Sequence, residues 1–286
     1  MFLFYSVVFG VASMISFGLS MAYSRPLAEA YGSAQVVFVR GLVATIMFGI
    51  IASGCNYDNS HNMMAELMAV LLGILGYIPS LSFTHAVKTS RIGIIAPIAG
   101  TAPLVTVLLS SWLLGVKIEN YQWIAIIFIV LSNMAVSFNF NNWLDSNMFN
   151  LSSGIPFAMV SALGWGVFYF FLIPLTKEVG PFLSAFLSEL GVVMAAGAHI
   201  LIAKKRCSIL SFKAPSIWMN GSLIFIGTLA FTFGVKHFNV AIVSTLSNSV
   251  AVISTLIGTF HFRERFQLKE KIASAVMILG IAVISS

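Results

Sequence analysis

Apolar stretches, each about as long as a bilayer is thick, follow one another along nearly the whole chain. A hydrocarbon core of about 30 Å is crossed by about 20 helical residues, and charges, prolines and Asn/Gly clusters divide the sequence into ten such stretches. Their predicted limits are 2–24, 33–53, 64–85, 92–114, 121–139, 153–174, 181–203, 215–236, 240–260 and 268–285. We therefore predict an all-α polytopic membrane protein with about ten transmembrane helices.

The composition excludes an ordinary soluble domain. Hydrophobic residues make up 59% of the 286 residues and charged residues only 8%, against about 25% charged in soluble proteins. The net charge of +6 comes from short basic clusters between apolar runs, which favours topology determinants over a nucleic-acid surface. Cys55 and Cys207 fall in loops predicted on opposite sides, and no Cys/His pattern predicts a metal or another cofactor.

Lysines and arginines in short loops predict which side each loop faces. Lys117, Lys177 and Lys236 fall on one side, and Arg40 lies inside a span. The other eleven fall on the opposite side: Arg25, Lys88, Arg91, Lys204, Lys205, Arg206, Lys213, Arg263, Arg265, Lys269 and Lys271. This bias predicts that the richer side is cytoplasmic and that both termini lie on the non-cytoplasmic side of a cell membrane.

The two halves of the chain, 1–145 and 146–286, resemble each other. A shift of 148 residues aligns Pro26 with Pro174, Gly32 with Gly180, Gly18 with Gly166 and Ser13 with Ser161. A shift of 145 aligns Glu119 with Glu264, Gln122 with Gln267 and Pro103 with Asn248. Each half holds five spans, and an odd number inverts the second copy relative to the first. We predict two inverted five-helix repeats within one integrated membrane domain, an arrangement that many alternating-access carriers use.

Two regions carry a family resemblance. In Thr89–Phe138, small residues, Pro103 and Glu119 precede an apolar helix, and Asn239–Ile284 repeats this order around Glu264. Together with Arg40 in the second span, these features resemble the drug/metabolite transporter superfamily in its EamA-type ten-helix form, over nearly the whole chain. Two features depart from that family: Ser247-Asn248-Ser249 stands where relatives often have proline, and many relatives have both termini inside.

The fourth and ninth spans are predicted to form the substrate site. Proline removes a backbone donor, which a membrane helix tolerates where the freed carbonyl lines a cavity or finds another partner. The candidate residues are Pro97, Thr101 and Pro103 in the fourth span, and Thr245, Ser247, Asn248 and Ser249 in the ninth. Alternatively, the hydroxyls bond to their own helices and the small residues mediate helix packing.

Aromatic and charged residues inside spans add further candidates. Tyr77, Trp165, Tyr169 and Phe231 can line a cavity for an organic solute, or simply pack or face lipid. Arg40 and Glu189 are the only strong base and acid well inside predicted spans, where ionisable groups usually face the bundle interior. They form either a structural ion pair or a coupling site at which Glu189 exchanges a proton.

The leading functional hypothesis is a secondary transporter that exports small amphipathic, neutral or zwitterionic metabolites, such as amino acids, by alternating access. The alternative within the superfamily is a nucleotide-sugar or organophosphate exchanger, which needs more basic residues than Arg40 around its pocket. An intramembrane enzyme needs a catalytic constellation at depth, and no such pattern is present in a span; a non-transporting scaffold needs no repeat. The expected partners are the small-molecule substrate, the lipid bilayer and protons, in a monomer or homodimer, with no nucleic acid.

Overall fold

A computed structural model describes residues 2–54, 62–90, 92–115, 153–204 and 208–261, with residue 150 and scattered positions in 119–131 and 272–279. Within these ranges the chain consists of helices and short junctions between them, which confirms the all-α prediction. The predicted fifth and tenth spans fall largely outside the described residues.

Six helices are long and apolar enough to cross a membrane. They are α1 (Phe2–Tyr31), α2 (Ser33–Gly54), α3 (Met63–Thr89), α6 (Ile155–Val179), α7 (Pro181–Ile202) and α9 (Pro215–His237). The shorter helices are α4 (Ile92–Ala99), α5 (Ala102–Leu114), α8 (Ile209–Lys213), α10 (Val240–Asn248) and α11 (Val250–Phe260).

Helices α1 and α6 extend past the limits predicted for the first and sixth spans. Pro26 and Pro174 lie inside these helices instead of ending them. The turn after each proline is buried, at Leu27 in α1 and at Leu175 in α6, so tertiary packing stabilises the helix beyond the lost hydrogen bond. Each helix instead ends before a glycine with positive φ, Gly32 at 85° and Gly180 at 89°, a conformation that glycine adopts without strain.

The predicted fourth and ninth spans are each broken into two helices. Helices α4 and α5 are separated by Gly100 and Thr101, and α10 and α11 are separated around Ser249. Pro103 stands in the first turn of α5, where a proline is tolerated because its missing N–H would have no helical partner. In the membrane, such breaks leave backbone groups that need other partners or a cavity.

The two repeats interlock. The most extensive contacts are α3 with α7, α1 with α9, α3 with α6, and α2 with α7, and each of these pairs joins one helix from each half of the chain. The core of the bundle therefore lies where the two halves of the chain meet.

Equivalent hydrogen bonds fix the register of the repeats. Thr106 Oγ1 donates to the Gly166 carbonyl at 2.9 Å, and Ser254 Oγ donates to the Gly18 carbonyl at 3.0 Å. Both donors and both acceptors differ by 148 residues, so this shift extends into α5 and α11. It pairs Asn248 with Gly100, and the predicted equivalence of Asn248 and Pro103 is wrong for these helices.

Hydrogen bonds near the helix ends mark the two ends of the bundle. Gln35 Nε2 donates to the Ser208 carbonyl at 2.7 Å, on the end that also carries Lys88, Lys204 and Lys213; we call this the basic end. At the opposite end, Lys236 Nζ donates to the Lys177 carbonyl. The described loops are therefore grouped as the ten-span arrangement requires.

Candidate solute-binding site

A central cavity lies where α1, α2, α3, α6, α7 and α9 meet. The cavity has a volume of about 60 Å³. Most lining residues come in pairs related by the shift of 148, so the cavity sits on the pseudo-twofold axis between the repeats. The pairs are Phe17/Trp165, Ser20/Phe168, Met21/Tyr169, Gly41/Glu189, Gly76/Ile224 and Ser80/Thr228.

One cation and one anion line this cavity. Arg40 on α2 is buried, with 7% of its surface exposed, and Glu189 on α7 is partly buried. Gly41 has no side chain in the way, and the Glu189 Oε2 atom lies 4.0 Å from the position a Cβ would occupy there. Thr228 lies beside the Glu189 carboxylate. Since charged groups are expensive to keep at membrane depth, their convergence on one cavity makes this cavity the candidate solute site.

Arg40 and Glu189 do not form the direct ion pair that was one of the two predictions for them. Among the described residues, the pair with an N–O distance below 4.0 Å is Arg25 with Glu29, at 3.0 Å. The two charges interact across the cavity instead. The separation follows from the register, because Arg40 is equivalent to Ser188 and the glutamate is one residue further along its helix. A polar solute can therefore reach both charges.

Aromatic rings form much of the wall. Trp165 and Tyr169 line the cavity as predicted candidates, together with Phe17 and Phe168. Phe231 does not line it: the ring is fully buried and packs against Tyr169, with 4.7 Å between ring centroids. Phe231 therefore positions a wall residue without touching the cavity.

Tyr77 also lies outside the cavity lining. It packs in a buried cluster with Val37, Val192 and Ala196, on the side of the cavity that faces the basic end. The Tyr77 hydroxyl and His199 Nδ1 are 2.5 Å apart, which is a hydrogen bond. This cluster separates the central cavity from the space at the basic end.

The hydroxyls of the broken helices mostly bond within their own helices. Thr101 Oγ1 donates to Ile98, Thr245 Oγ1 to Ala241 and Ser249 Oγ to Thr245, at 2.7, 2.7 and 2.8 Å. These bonds match the alternative interpretation of those residues.

Ser247 Oγ is buried and has no partner among the described residues. The side chains of Pro97, Pro103 and Asn248 lie outside the described part of the structure. The broken helices reach the cavity through Val250, the first residue of α11.

Several lining residues were not among the sequence candidates, although the repeat could have identified them. Applying the shift of 148 to Trp165 and Tyr169 gives Phe17 and Met21, and both line the cavity. Ser20 is held by Asn220, whose Nδ2 donates to the Ser20 carbonyl at 2.8 Å, and Ser20 Oγ donates to Asn220 Oδ1 at 3.3 Å. The described residues bring no three His, Cys, Asp or Glu side chains together as metal ligands would require.

Comparisons with known proteins agree with this architecture. The EamA-like transporter family matches residues 4–138 and 152–286, two segments that are themselves related by a shift of 148. Among the solved structures with a similar fold is a crystal structure that matches 97% of this chain and 94% of its own, with a TM-score of 0.71 and 18% sequence identity. No curated protein matches the sequence.

Proposed function

The chain belongs to the EamA-like transporter family, and from this premise we propose that it is a secondary transporter of small amphipathic, neutral or zwitterionic metabolites such as amino acids. The family makes it a multi-pass membrane transporter. The solute class, the direction of transport and the residues that bind the solute are our proposals.

The observation that carries the solute class is the pair of opposite charges in one aromatic cavity. An α-carboxylate can accept hydrogen bonds from the Arg40 guanidinium, and charge-assisted bonds of this kind are strong and directional. The ammonium group of the same solute can donate to Glu189. Trp165 and Tyr169 offer faces for an apolar or cationic group, and the hydroxyls of Ser80 and Thr228 can complete the polar contacts.

The alternative solute, a nucleotide sugar or an organophosphate, fits this lining less well. A phosphate carries up to two negative charges and is usually held by several basic groups. Arg40 is the cation that lines the described cavity, and Glu189 would repel a phosphate placed against it.

Alternating access is the proposed mechanism. Interlocked inverted repeats and broken helices at a site on the pseudo-twofold axis are features of carriers that work in this way. Asn248, at the end of α10, is our candidate for an uncharged hydrogen-bonding partner of the solute, because the chain break beside it leads to Val250 at the cavity. Glu189 is the candidate for proton coupling.

We further propose that the basic end faces the cytoplasm, that both termini lie on the other side of the cell membrane, and that transport is outward. The bias of lysine and arginine supports this orientation. Single cysteines at Asp58 and Lys213, on a background without Cys55 and Cys207, test it with an impermeant thiol reagent. Reaction at Lys213→Cys and not at Asp58→Cys in intact cells would reverse the orientation.

Thermal stabilisation of the purified protein by an amino-acid panel, followed by uptake of the best ligand into proteoliposomes, tests the solute class. Arg40→Met should remove preference for the carboxylate, so that the matching primary amine competes as well as the amino acid. Glu189→Gln should remove preference for the ammonium group. Arg25→Met, at a partly buried arginine outside the cavity, is the matched control and should transport normally. Stabilisation by phosphate esters and not by amino acids would refute the proposal.

A further inference from the structure

A second cavity opens at the basic end, and we call it the vestibule. It is formed where α1 ends, α2 begins and α7 ends, together with the second half of α3 and the start of α6, and its volume is about 540 Å³. Its polar lining residues are Ser33, Gln35, Ser82, His85, Lys88 and His199. The Tyr77 cluster lies between the vestibule and the central cavity.

The lining of the vestibule is basic. Lys88, His85 and His199 contribute to it, and no acidic residue is among the described residues that line it. Lys88 is exposed and has no hydrogen bond or ion pair to any described residue. Glu29, an acidic residue near the end of α1, is already paired with Arg25 at 3.0 Å.

Two further features of the vestibule suit an anion. Its wall includes the first turn of α2, from Ser33 to Gln35, where backbone N–H groups can donate to an anion, although the ends of α1 and α7 in the same wall carry the opposite helix dipole. Ser82 is 9% exposed, lines the same space and has no hydrogen-bond partner among the described residues. Its hydroxyl lines the open vestibule, where an anionic oxygen would accept its hydrogen bond.

The opposite end of the bundle shows that this space is not a by-product of the repeat. Under the shift of 148, Ala34 corresponds to Phe182 and His85 to Phe233. Phe233 packs against Phe182 and Phe9 with ring-centroid distances of 6.3 and 5.4 Å. Aromatic rings therefore occupy the position that is equivalent to the vestibule.

The lysines differ in the same way between the two ends. Lys236, the equivalent of Lys88, donates a hydrogen bond to the Lys177 carbonyl. Lys236 is thus bound to the backbone, while Lys88 remains available in an open polar cavity.

We propose that the vestibule is a second binding site, which takes the anionic group of the solute, a carboxylate, before the solute reaches the central cavity. The identity of the solute rests on the proposed function; the anion site itself does not. Lys88 supplies the main positive charge, and His85, His199, Ser82 and the start of α2 supply hydrogen-bond donors. Long-range attraction of this kind raises the local concentration of an anionic ligand.

The charge of the vestibule can be measured without knowing the solute. Ser33→Cys, on a background without Cys55 and Cys207 and in phosphatidylcholine vesicles without anionic lipid, is reacted with anionic and with cationic methanethiosulfonate reagents. The ratio of the anionic to the cationic rate should fall about three- to tenfold in Lys88→Met, as expected for one nearby charge in a wet cavity. Lys88→Arg should keep the ratio. Lys236→Met, at the equivalent position of the opposite end, should also leave it unchanged.

Occupancy is tested with an uncharged maleimide at constant ionic strength. Propionate should slow modification of Ser33→Cys, propylammonium should not, and Lys88→Met should weaken the protection by propionate. Protection by inorganic phosphate alone would support an anion site while contradicting the proposed solute class, so failures of the two proposals can be told apart. A rate ratio that is insensitive to Lys88→Met, with no protection by either anion, would overturn the vestibule site.

Discussion

The crossing of α3 and α7 leaves no room for a methyl group, and Gly73→Ala tests this directly. A Cβ built on Gly73 would lie 2.0 Å from the Ser188 carbonyl oxygen and 2.9 Å from Gly191 Cα. Both neighbours are backbone atoms, which cannot turn away as a side chain can. Small residues at such crossings let membrane helices approach closely.

The cost follows from how far the helices must move. Real Cβ atoms essentially never approach another heavy atom closer than 3.0 Å, so the helices have to separate by about 1 Å at this point. Overpacking of a dense interior costs about 1–3 kcal/mol, and a backbone clash belongs in the upper half of that range. Ser188 directly precedes Glu189, so the same movement displaces a charged wall residue of the central cavity.

Thermal unfolding of the purified protein in detergent measures this effect. We expect the melting temperature to fall clearly for Gly73→Ala and less for Gly76→Ala, because the Cβ of the latter meets only the Phe168 ring, at 2.8 Å. Gly54→Ala is the matched control, since nothing lies within 4 Å of its Cβ, and it should be neutral or slightly stabilising. Equal melting temperatures for all three variants would refute the proposed crossing geometry.

Three further predictions follow from other parts of the fold. Asn220→Ala should destabilise the protein by about 1–3 kcal/mol, because it leaves the buried Ser20 hydroxyl without its partner; stability equal to wild type would contradict this hydrogen-bond pair. Gly32→Ala and Gly180→Ala should each cost about 1–3 kcal/mol, because both glycines have a positive φ that other residues rarely adopt, and chemical denaturation should show a loss at each site. Arg40→Met and Glu189→Gln should each lower the folded yield, because each leaves the opposite charge without its partner. In a double-mutant cycle the double variant should recover part of the lost yield, whereas additive losses would show that the two charges are independent.

The sequence by itself determined that the protein lies in a membrane, and it determined the positions of most of the helices. Apolar length is a local property and the thickness of the bilayer sets it, so the limits of α2 and α7 could be predicted to within a residue or two. The repeat was also readable, because residues with special backbone roles, such as Gly32 and Gly180, recur at the same spacing. These glycines also mark the ends of α1 and α6. The predicted ends were too early because they were placed at the prolines that precede the glycines.

The tertiary structure alone decided which candidates meet. Whether Trp165 reaches a cavity and Phe231 lies behind its wall depends on helix rotation and crossing, which hydropathy does not encode. The separation of Arg40 from Glu189 depends on a one-residue offset between equivalent helices, and the pairing of Asn248 with Gly100 depends on hydrogen bonds between α5 and α6 and between α1 and α11. Packing between the two halves determines which of these residues meet. The partners of each contact lie far apart in the sequence, so a local pattern cannot predict the contact.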